Sequence, residues 1–323
     1  MKITQLPGTG LRVSAVCLGT MTFGGQVNEG DGIRVLQMAV DHGINFVDTA
    51  DMYTGGESER IVGKGLKGIR DKVVLATKVC NATGPNPNDQ GLSRIHIRQA
   101  VDASLRRLQT DYIDVYYLHR PDRGTPLEET MSVIDDLIHE GKIRYVGVSN
   151  FSSWAIADIL AHCDKRNYAN LAVNQSVYNL LTRGIEDELL PMSIAHQLGV
   201  VVYNPLASGL LTGKHTGDVP QADSRLAQSK LYHDRYWNKP NSDAVVQLKQ
   251  IAEDEGISLL EMSLRWCANQ TAISSVLVGV SRVEQLNQNI ECLEKGPLSD
   301  TCLDRCDQVW NSLPIGSRFK YYR

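Results

Sequence analysis

The stretch Gly-Ile-Asn-Phe-Val-Asp-Thr-Ala-Asp-Met-Tyr, at residues 43–53, contains a short apolar strand that runs directly into an acidic residue. A buried strand that ends in a charge costs free energy unless that charge is paired or takes part in chemistry. Two later apolar runs end in a polar residue in the same way, one at Lys78 and the other at His119. In parallel α/β proteins, ligands bind at these downstream ends of the strands. The sequence therefore predicts one proton-delivering site that contains an acid, a phenol, an amine and an imidazole: Asp48, Tyr53, Lys78 and His119.

Strand-like and helical patterns alternate along most of the chain. A hairpin is predicted first, with strands at 2–6 and 11–13. Segments with helical periodicity separate the later strands, which is typical of a parallel sheet covered on both faces. Because eight strands can close a barrel, we predict a single-domain α/β protein, a (β/α)8 TIM barrel over residues 1–323. The predicted barrel strands are 15–19, 45–48, 73–77, 113–118, 143–148, 171–175, 200–203 and 274–279.

Local signals mark the ends of several helices. Asp31, Ser93 and Ser152 stand where the N-terminal caps of helices are expected. Gly43 and Gly141 stand where a residue in the left-handed conformation would close a helix before the next strand.

One long interruption follows the seventh strand, from Asn204 to about residue 241. A loop of this length in a compact domain is usually a lid or a disordered segment. We predict a lid loop, because it leaves the barrel at the end where the four polar residues gather. The C-terminal tail, residues 314–323, contains Phe319, Tyr321 and Tyr322. Two interpretations stay open for it, a cover over the same mouth and a frayed terminus.

Composition and charge argue against several classes of protein. The chain of 323 residues has a formal net charge of -4 and no arginine-rich stretch, so a nucleic-acid partner is not expected. Its first residues lack the apolar core of a signal peptide, and no apolar run approaches the roughly 18 to 20 residues that span a bilayer. We therefore expect a cytoplasmic protein without a membrane partner.

The cysteine pattern predicts no metal site. The seven cysteines form no C-x-x-C pair, and the nearest two, Cys302 and Cys306, lack a second cluster that would complete a zinc site. We interpret all seven as reduced thiols and expect no metal.

Two glycine-containing segments resemble phosphate-binding loops, but they differ in context. Residues 63–68 match G-x-G-x-x-G, yet a helical stretch precedes them and a strand follows. The dinucleotide fingerprint requires the opposite order, so we reject a Rossmann site. Residues 279–286 instead lead from the eighth strand into a helix whose first turn carries Ser281 and Arg282. Backbone N–H groups, a hydroxyl and a guanidinium suit a phosphate, although an ordinary capped helix has the same pattern.

Six segments together resemble the aldo-keto reductase superfamily, in the family's order and over nearly the whole chain. They are Gly-Ile-Asn-Phe-Val-Asp-Thr-Ala-Asp-Met-Tyr (43–53), Leu-Ala-Thr-Lys (75–78), Tyr-Tyr-Leu-His-Arg-Pro-Asp (116–122), Gly-Lys-Ile-Arg-Tyr-Val-Gly-Val-Ser-Asn (141–150), Asn-Gln-Ser-Val-Tyr-Asn (174–179) and Tyr-Asn-Pro-Leu-Ala-Ser-Gly-Leu-Leu-Thr-Gly-Lys (203–214). The branch that the chain resembles is the bacterial one related to the voltage-gated potassium-channel β subunits. The resemblance implies a (β/α)8 barrel that binds NADP(H) without a Rossmann motif.

The resemblance also implies catalytic roles for the four converging residues. Tyr53 would donate a proton to a carbonyl oxygen, although a free phenol has a pKa of about 10. Lys78 would stabilise the phenolate and so make the phenol more acidic, and Asp48 would keep the lysine charged and oriented. His119 would donate a hydrogen bond that orients and polarises the substrate oxygen. Any one of them alone could be structural, whereas all four at consecutive strand ends favour catalysis.

Cofactor contacts are implied by the same resemblance. The nicotinamide half would be held by Gly19, Thr20, Met21, Asp48, Ser149, Asn150, Gln175 and Tyr203. The pyrophosphate would be followed by Asn204, Leu206, Ser208, Gly209, Lys214 and Arg225. The adenine and the 2′-phosphate would be held by Gly279, Ser281, Arg282, Gln285, Gln288 and Asn289. Arg282 favours NADPH over NADH, since the 2′-phosphate needs a cation. Gln288 and Asn204 stand where the family usually has glutamate and serine, and both keep a hydrogen-bonding group.

The leading hypothesis is an NADPH-dependent oxidoreductase that reduces aldehydes or ketones to alcohols, with a small carbonyl compound as its substrate. The alternative is an NADP(H)-binding, redox-sensing regulatory subunit of the channel-β type, which would keep the same four residues. A metal-dependent barrel hydrolase is disfavoured, because the chain has no H-x-H pair. The physiological substrate, the preferred direction of reaction and the oligomeric state, including a possible homo-oligomer, stay open.

Overall fold

In the computed structural model, which describes residues 1–215, 219–222 and 224–315, the apolar runs form strands and the amphipathic segments between them form helices. The strands are β1 (Ile3–Gln5), β2 (Arg12–Ser14), β3 (Val16–Gly19), β4 (Phe46–Asp48), β5 (Val74–Val79), β6 (Ile113–Leu118), β7 (Ile143–Ser149), β8 (Leu171–Val177), β9 (Gly199–Tyr203) and β10 (Ser275–Gly279). The α-helices are α1 (Glu29–Asp41), α2 (Glu57–Gly65), α3 (Arg94–Leu108), α4 (Leu127–His139), α5 (Ser153–Arg166), α6 (Leu189–Ala195), α7 (Arg225–Gln228), α8 (Lys230–Tyr236), α9 (Lys239–Asp254), α10 (Leu259–Ala268), α11 (Val283–Glu294) and α12 (Asp300–Ser312). Short 3-10 turns lie at Tyr53–Gly56, Arg70–Lys72 and Ala207–Thr212.

The strands from β3 to β10 close into a barrel in chain order, and β10 pairs with β3 to complete the ring. Every pairing in the barrel is parallel, whereas β1 and β2 form a separate antiparallel hairpin. The predicted (β/α)8 architecture with an N-terminal hairpin is therefore confirmed. Each barrel strand starts and ends within about two residues of its predicted bounds, the usual uncertainty of such assignments.

The period-2 alternation of side chains decides which residues point into the barrel. Phe46, Val74 and Val115 belong to a small interior cluster, whereas Val47, Leu75 and Tyr116 pack in the larger cluster on the helix side. Further along the same inward-facing rows, β4 ends in Asp48, two residues after Phe46, and β5 carries Lys78, four residues after Val74. The charges therefore project into the mouth of the barrel at the carboxyl ends of the strands.

The N-terminal hairpin covers the opposite end of the barrel. Leu6 and Val13 are fully buried and pack in the same interior cluster as Cys17 and Phe46. An apolar floor of this kind leaves the carboxyl end as the place where a ligand can enter, as is usual for this architecture.

Helix ends follow the predicted signals with one correction. Helix α1 begins at Glu29 with Asn28 as its cap, and not at Asp31 as the sequence suggested. The Asn28 side chain accepts a hydrogen bond from the Asp31 N–H and donates one to the Asp31 carboxylate, so Asp31 lies in the first turn of the helix and binds the cap. Gly43 and Gly141 have φ angles of 80° and 74°, the left-handed conformation predicted for both.

The rejected G-x-G-x-x-G segment lies at the end of helix α2 and in the turn after it. Gly63 packs against the end of helix α3, and a Cβ there would lie 2.6 Å from the carbonyl oxygen of Leu108. The glycine therefore permits a close approach of two helices, which is a packing role.

The segment after β9 contains more regular structure than a loop. It holds the 3-10 turn at 207–212 and helices α7 and α8, which lie over the mouth of the barrel. The predicted lid is thus partly helical, while residues 216–218 and 223 lie outside the described residues. The aromatic tail that includes Phe319, Tyr321 and Tyr322 also lies outside them, so the two interpretations of the tail stay open.

Candidate active site

A cavity of about 910 Å³ opens at the carboxyl end of the barrel. Its volume lies within the roughly 300–1,000 Å³ typical of ligand and cofactor sites. Tyr53 and His119 line it, and so does every residue that the sequence predicted for the cofactor. Lys78 is buried beneath the wall of the cavity, with an exposure of 1%. It contacts Asp48 and Tyr53, which do line the cavity. The structure thus brings the predicted residues to one place.

Lys78 is the centre of a buried hydrogen-bonded cluster. Its ammonium donates to the carboxylate of Asp48, to the carbonyl oxygen of Thr49 at 2.8 Å and to the hydroxyl of Tyr53 at 3.4 Å. Gln175 donates from its amide to the second carboxylate oxygen of Asp48 at 2.9 Å. Burial disfavours the ammonium form, but Asp48 and then Tyr53 outweigh that effect and raise the pKa of Lys78. The lysine is therefore held as a cation by three hydrogen bonds inside the barrel.

Tyr53 follows β4 and begins the 3-10 turn 53–56. Desolvation of the partly buried ring raises the pKa of Tyr53, and the Lys78 ammonium acts in the opposite direction. In this structure desolvation is the larger effect. The phenol is therefore not more acidic than a free one, and the predicted influence of Lys78 is present but outweighed.

His119 follows β6, and its ring meets the ring of Tyr53 edge-on with the centroids 5.9 Å apart. Its backbone N–H donates to Val79 at 2.8 Å, and its carbonyl oxygen accepts from the side chain of Asn150 at 3.0 Å. The side-chain amide nitrogen of Asn81 lies 3.0 Å from its Nδ1. Asn81 was not singled out from the sequence, although its place just after the strand that bears Lys78 is a usable signal.

A second polar group lies across the mouth from Lys78, after strands β7 and β9. Asn150 has a φ of 64°, a left-handed conformation that asparagine tolerates, and its amide donates to the hydroxyl of Ser149 at 3.0 Å. Tyr203 donates from its hydroxyl to the amide oxygen of Asn150 at 2.8 Å. These contacts fix a hydroxyl, an amide and an aromatic face side by side, a set that suits a planar aromatic ring that bears a carboxamide.

Asn204 ties the chain after β9 to the lid. Its amide oxygen accepts from the backbone N–H of Ser208 at 2.7 Å, and its amide nitrogen donates to the Tyr236 hydroxyl at 3.0 Å. Asn179 donates to the same hydroxyl at 3.2 Å. A serine side chain at this position would be too short to bridge both partners. Asn204 therefore anchors helix α8 to the barrel, and sequence reasoning missed the roles of Asn179 and Tyr236.

Beyond the lid, the turn after β10 leads into helix α11. The N–H of Ser281 donates to the side-chain oxygen of Gln285 at 2.8 Å, while Arg282 is exposed at the head of the helix. A guanidinium and the start of helix α11 therefore lie at the rim of the cavity, a combination that suits a phosphate group.

Asp51 is a buried carboxyl close to this site, with an exposure of 2%. Burial, reinforced by the charge of Glu59, raises its pKa from 3.8 to about 8. Between about pH 4 and pH 8, the folded protein therefore keeps a proton on Asp51 that the unfolded chain releases. Its contribution to stability is complete below about pH 4 and is lost as the pH rises towards 8.

The variant Asp51→Asn cannot ionise, so it should gain stability over the wild type by about 1.4 kcal/mol per pH unit between pH 5 and 8. Urea unfolding at several pH values measures this slope. The same substitution at the exposed Asp111 is the control and should follow the wild type. A parallel course for Asp51→Asn and wild type would contradict the buried, protonated carboxyl.

The comparison with known families agrees with this geometry. The model of the aldo/keto reductase family matches residues 15–311, nearly the whole chain. The chain belongs to the aldo/keto reductase family. Family membership makes it an oxidoreductase and explains why a cavity of this kind lies at this end of the barrel.

Several relatives resemble this aldo/keto reductase along most of their length. A probable voltage-gated potassium channel subunit beta of Arabidopsis thaliana is 36% identical over 97% of this chain and 98% of its own. An uncharacterized oxidoreductase, YrpG, of Bacillus subtilis is 37% identical over 91% of each chain. Aflatoxin B1 aldehyde reductase member 2 of Rattus norvegicus is 35% identical over 94% of this chain and 86% of its own. The relatives thus include both reductases and channel subunits.

The described residues were also compared with the requirements of a membrane-spanning helix and of a metal site. Among residues 1–215, 219–222 and 224–315, no helix has the length and apolarity needed to cross a membrane. In the same part of the chain, no group of three or more His, Cys, Asp or Glu side chains could hold a metal ion. The seven cysteines are all buried.

Proposed function

We propose that this protein is an NADPH-dependent reductase of aldehydes or ketones. The observation that carries the proposal is the position of the Lys78 ammonium, which donates both to Asp48 and to the hydroxyl of Tyr53 at the mouth of the cavity. A cation held against a phenol in a partly water-excluded place favours loss of the phenolic proton to an acceptor. That is the step which must accompany hydride addition to a carbonyl carbon.

The residues around the cavity fit a nicotinamide cofactor. Ser149, Asn150 and Gln175 offer hydroxyl and amide groups for the carboxamide, and Tyr203 offers an aromatic face. Ser208, Lys214 and Arg225 would hold the pyrophosphate, and Arg282 with Ser281 would hold the 2′-phosphate of NADP(H). When bound, the cofactor supplies the hydride, while all proton handling belongs to the protein.

The protein's own groups divide the remaining work. Tyr53 gives the proton of its hydroxyl to the carbonyl oxygen, and the adjacent Lys78 stabilises the phenolate that is left. Asp48 keeps the ammonium charged and in place. His119, whose ring lies edge-on to Tyr53, orients the carbonyl oxygen by a hydrogen bond that strengthens as negative charge develops there.

Steady-state oxidation of NADPH tests the proposal. Short aldehydes, aldoses, phosphorylated sugars and aromatic carbonyl compounds should be screened at saturating NADPH, with absorbance as the signal. We expect continuous turnover with at least one class and formation of the corresponding alcohol. Absence of turnover with every class, in protein that binds NADPH, would overturn the assignment of a reductase.

The preference for NADPH is a separate prediction. Replacing Arg282 with Gln removes the charge-assisted contact to the 2′-phosphate, worth about 1.5–3 kcal/mol, so the KM for NADPH should rise roughly 10- to 100-fold. The KM for NADH should stay nearly constant. Arg106→Gln is the matched control, because Arg106 is exposed on helix α3 and does not line the cavity. An equal loss for both cofactors would place the 2′-phosphate elsewhere.

A second candidate function is a cofactor-binding regulatory subunit. The 36% identity to a probable potassium channel subunit beta favours it, since the match covers nearly both chains. Such a subunit would oxidise bound NADPH once and then stop, whereas an enzyme turns over repeatedly. Stopped-flow traces that show a single-turnover phase with no steady state would support this candidate over a reductase.

A further inference from the structure

The ring of His119 is approached at Nδ1 by the side-chain amide of Asn81, with 3.0 Å between the two nitrogens. An amide nitrogen can only donate a hydrogen bond. An imidazole nitrogen can accept one only when it carries a lone pair and no proton. If the amide nitrogen faces His119, the contact therefore requires that Nδ1 of the ring carries no proton.

Arg120 decides that orientation. Its Nε lies 3.0 Å from the side-chain oxygen of Asn81, and a guanidinium has only donors to offer. If the amide of Asn81 were turned over, its NH2 group would face the guanidinium and two donors would meet. Arg120 thus fixes the oxygen of Asn81 on its own side and the nitrogen on the side of His119.

The consequence for the imidazole follows directly. A proton on Nδ1 would face the NH2 group of Asn81, again donor against donor, both in the Nδ1–H tautomer and in the imidazolium. Only the neutral imidazole with its proton on Nε2 satisfies both hydrogen bonds at once. Since the backbone of His119 is held separately by Val79 and Asn150, the amide of Asn81 selects the tautomer and does not hold the residue in place.

We propose that Arg120 and Asn81 act together as positioning residues that fix His119 in the neutral Nε2–H tautomer. The inference deepens the proposed function and rests on it for its catalytic meaning, because Nε2–H is then the donor offered to the substrate oxygen. The wrong tautomer of a catalytic histidine is known to be costly, with about 10⁴-fold lost when a serine-protease histidine loses the partner of its Nδ1–H. In the serine protease the partner accepts a hydrogen bond from Nδ1–H, whereas here Asn81 donates one to Nδ1 and so excludes a proton there.

Nitrogen-15 NMR of imidazole-labelled protein at pH 7.5 tests the inference without any need for turnover. The resonances of His119 are identified by their absence from the spectrum of His119→Phe. In the wild type we expect Nδ1 in the range of an unprotonated nitrogen and Nε2 in the range of a protonated one. Nδ1 in the protonated range would overturn the inference.

Three substitutions sharpen the test. Asn81→Asp keeps the shape but offers only acceptors, so Nδ1 should move to the protonated range. Arg120→Met should release the amide and shift Nδ1 towards a mixture of tautomers, while Arg120→Lys, which still donates, should restore the wild-type shift. Arg123→Met is the matched control, an exposed arginine three residues further along that does not line the cavity. A wild-type Nδ1 shift in both Asn81→Asp and Arg120→Met would overturn the assigned roles.

Kinetics separate this inference from the proposed function. Arg120→Met should lower kcat about tenfold, by analogy with the smaller effect of removing an outer partner of a metal-bound histidine, and Arg120→Lys should recover most of it. If the wild type shows the expected tautomer but reduces no carbonyl compound, the inference stands and the proposed function falls. If carbonyls are reduced while Nδ1 is protonated, the proposed function stands and the inference falls.

Discussion

Replacing Tyr53 with Phe should nearly abolish carbonyl reduction while leaving the binding of NADPH intact. The phenyl ring keeps the shape of the side chain and removes only the hydroxyl that receives the hydrogen bond from Lys78 at 3.4 Å. Loss of a positioned general acid costs about 10²–10⁴-fold in rate. Initial rates at saturating NADPH measure the loss, and fluorescence titration measures the dissociation constant of the cofactor.

The control for this prediction is Tyr168→Phe. The hydroxyl of Tyr168 donates to Glu128 at 3.0 Å, and the residue does not line the cavity, so activity should be that of the wild type. Turnover of Tyr53→Phe within a few-fold of the wild type would show that another group delivers the proton.

Replacing Lys78 with Met should have the largest effect on stability. The variant leaves the carboxylate of Asp48 buried with Gln175 as its remaining side-chain partner. Breaking a buried ion pair on one side costs about 3–5 kcal/mol, because the other charge stays uncompensated. Urea unfolding monitored by circular dichroism measures the loss, and activity should also fall to the level of Tyr53→Phe.

The double variant Asp48→Asn/Lys78→Met distinguishes the cost of an unpaired charge from the cost of lost packing. It should regain most of the free energy of unfolding but none of the activity. Lys64→Met is the control, because Lys64 pairs with Glu29 where both side chains are nearly half exposed. Such exposed pairs contribute about 0–1 kcal/mol. Equal destabilisation by Lys78→Met and Lys64→Met would contradict the description of Lys78 as a buried, paired cation.

The barrel was predictable because its strands are buried on both faces and read as short, continuous apolar runs. Val74–Val79 and Ile113–Leu118 are buried along their whole length, which is how strands of a parallel sheet differ from half-exposed ones. The start of helix α1 was predicted wrongly, because Asn28 and Asp31 both have the chemistry of a cap. Which of the two takes the cap is decided by the reciprocal hydrogen bonds between them.

The catalytic candidates were easier to identify than the residues that hold them. Asp48, Lys78 and His119 each follow an apolar run, so position along the strand marks them. Asn81 has a weaker mark, its place just after the strand that bears Lys78, and Tyr236 has none; their contacts are made with residues about 40 to 60 positions away in the chain. Only the closed barrel and the folded lid bring those partners together.

Electrostatics at the site also required the structure. From the sequence, the neighbourhood of Lys78 predicted a phenol more acidic than usual at Tyr53. The structure adds desolvation, which raises the pKa of Tyr53 and exceeds the effect of the ammonium. A hydroxyl that stays protonated at neutral pH suits a proton donor, and Lys78 then acts mainly on the phenolate that appears after transfer.

A single turnover with NADPH that carries deuterium at both C4 positions tests the central claim most directly. Mass spectrometry of the alcohol reports whether hydride moved from the nicotinamide to the carbonyl carbon, and the wild type and Tyr53→Phe are compared at equal occupancy of the cofactor. We predict one non-exchangeable deuterium in the product of the wild type and almost no product from Tyr53→Phe. Oxidation of NADPH by the wild type without deuterium in the alcohol, or an undiminished rate of transfer in Tyr53→Phe, would contradict the account.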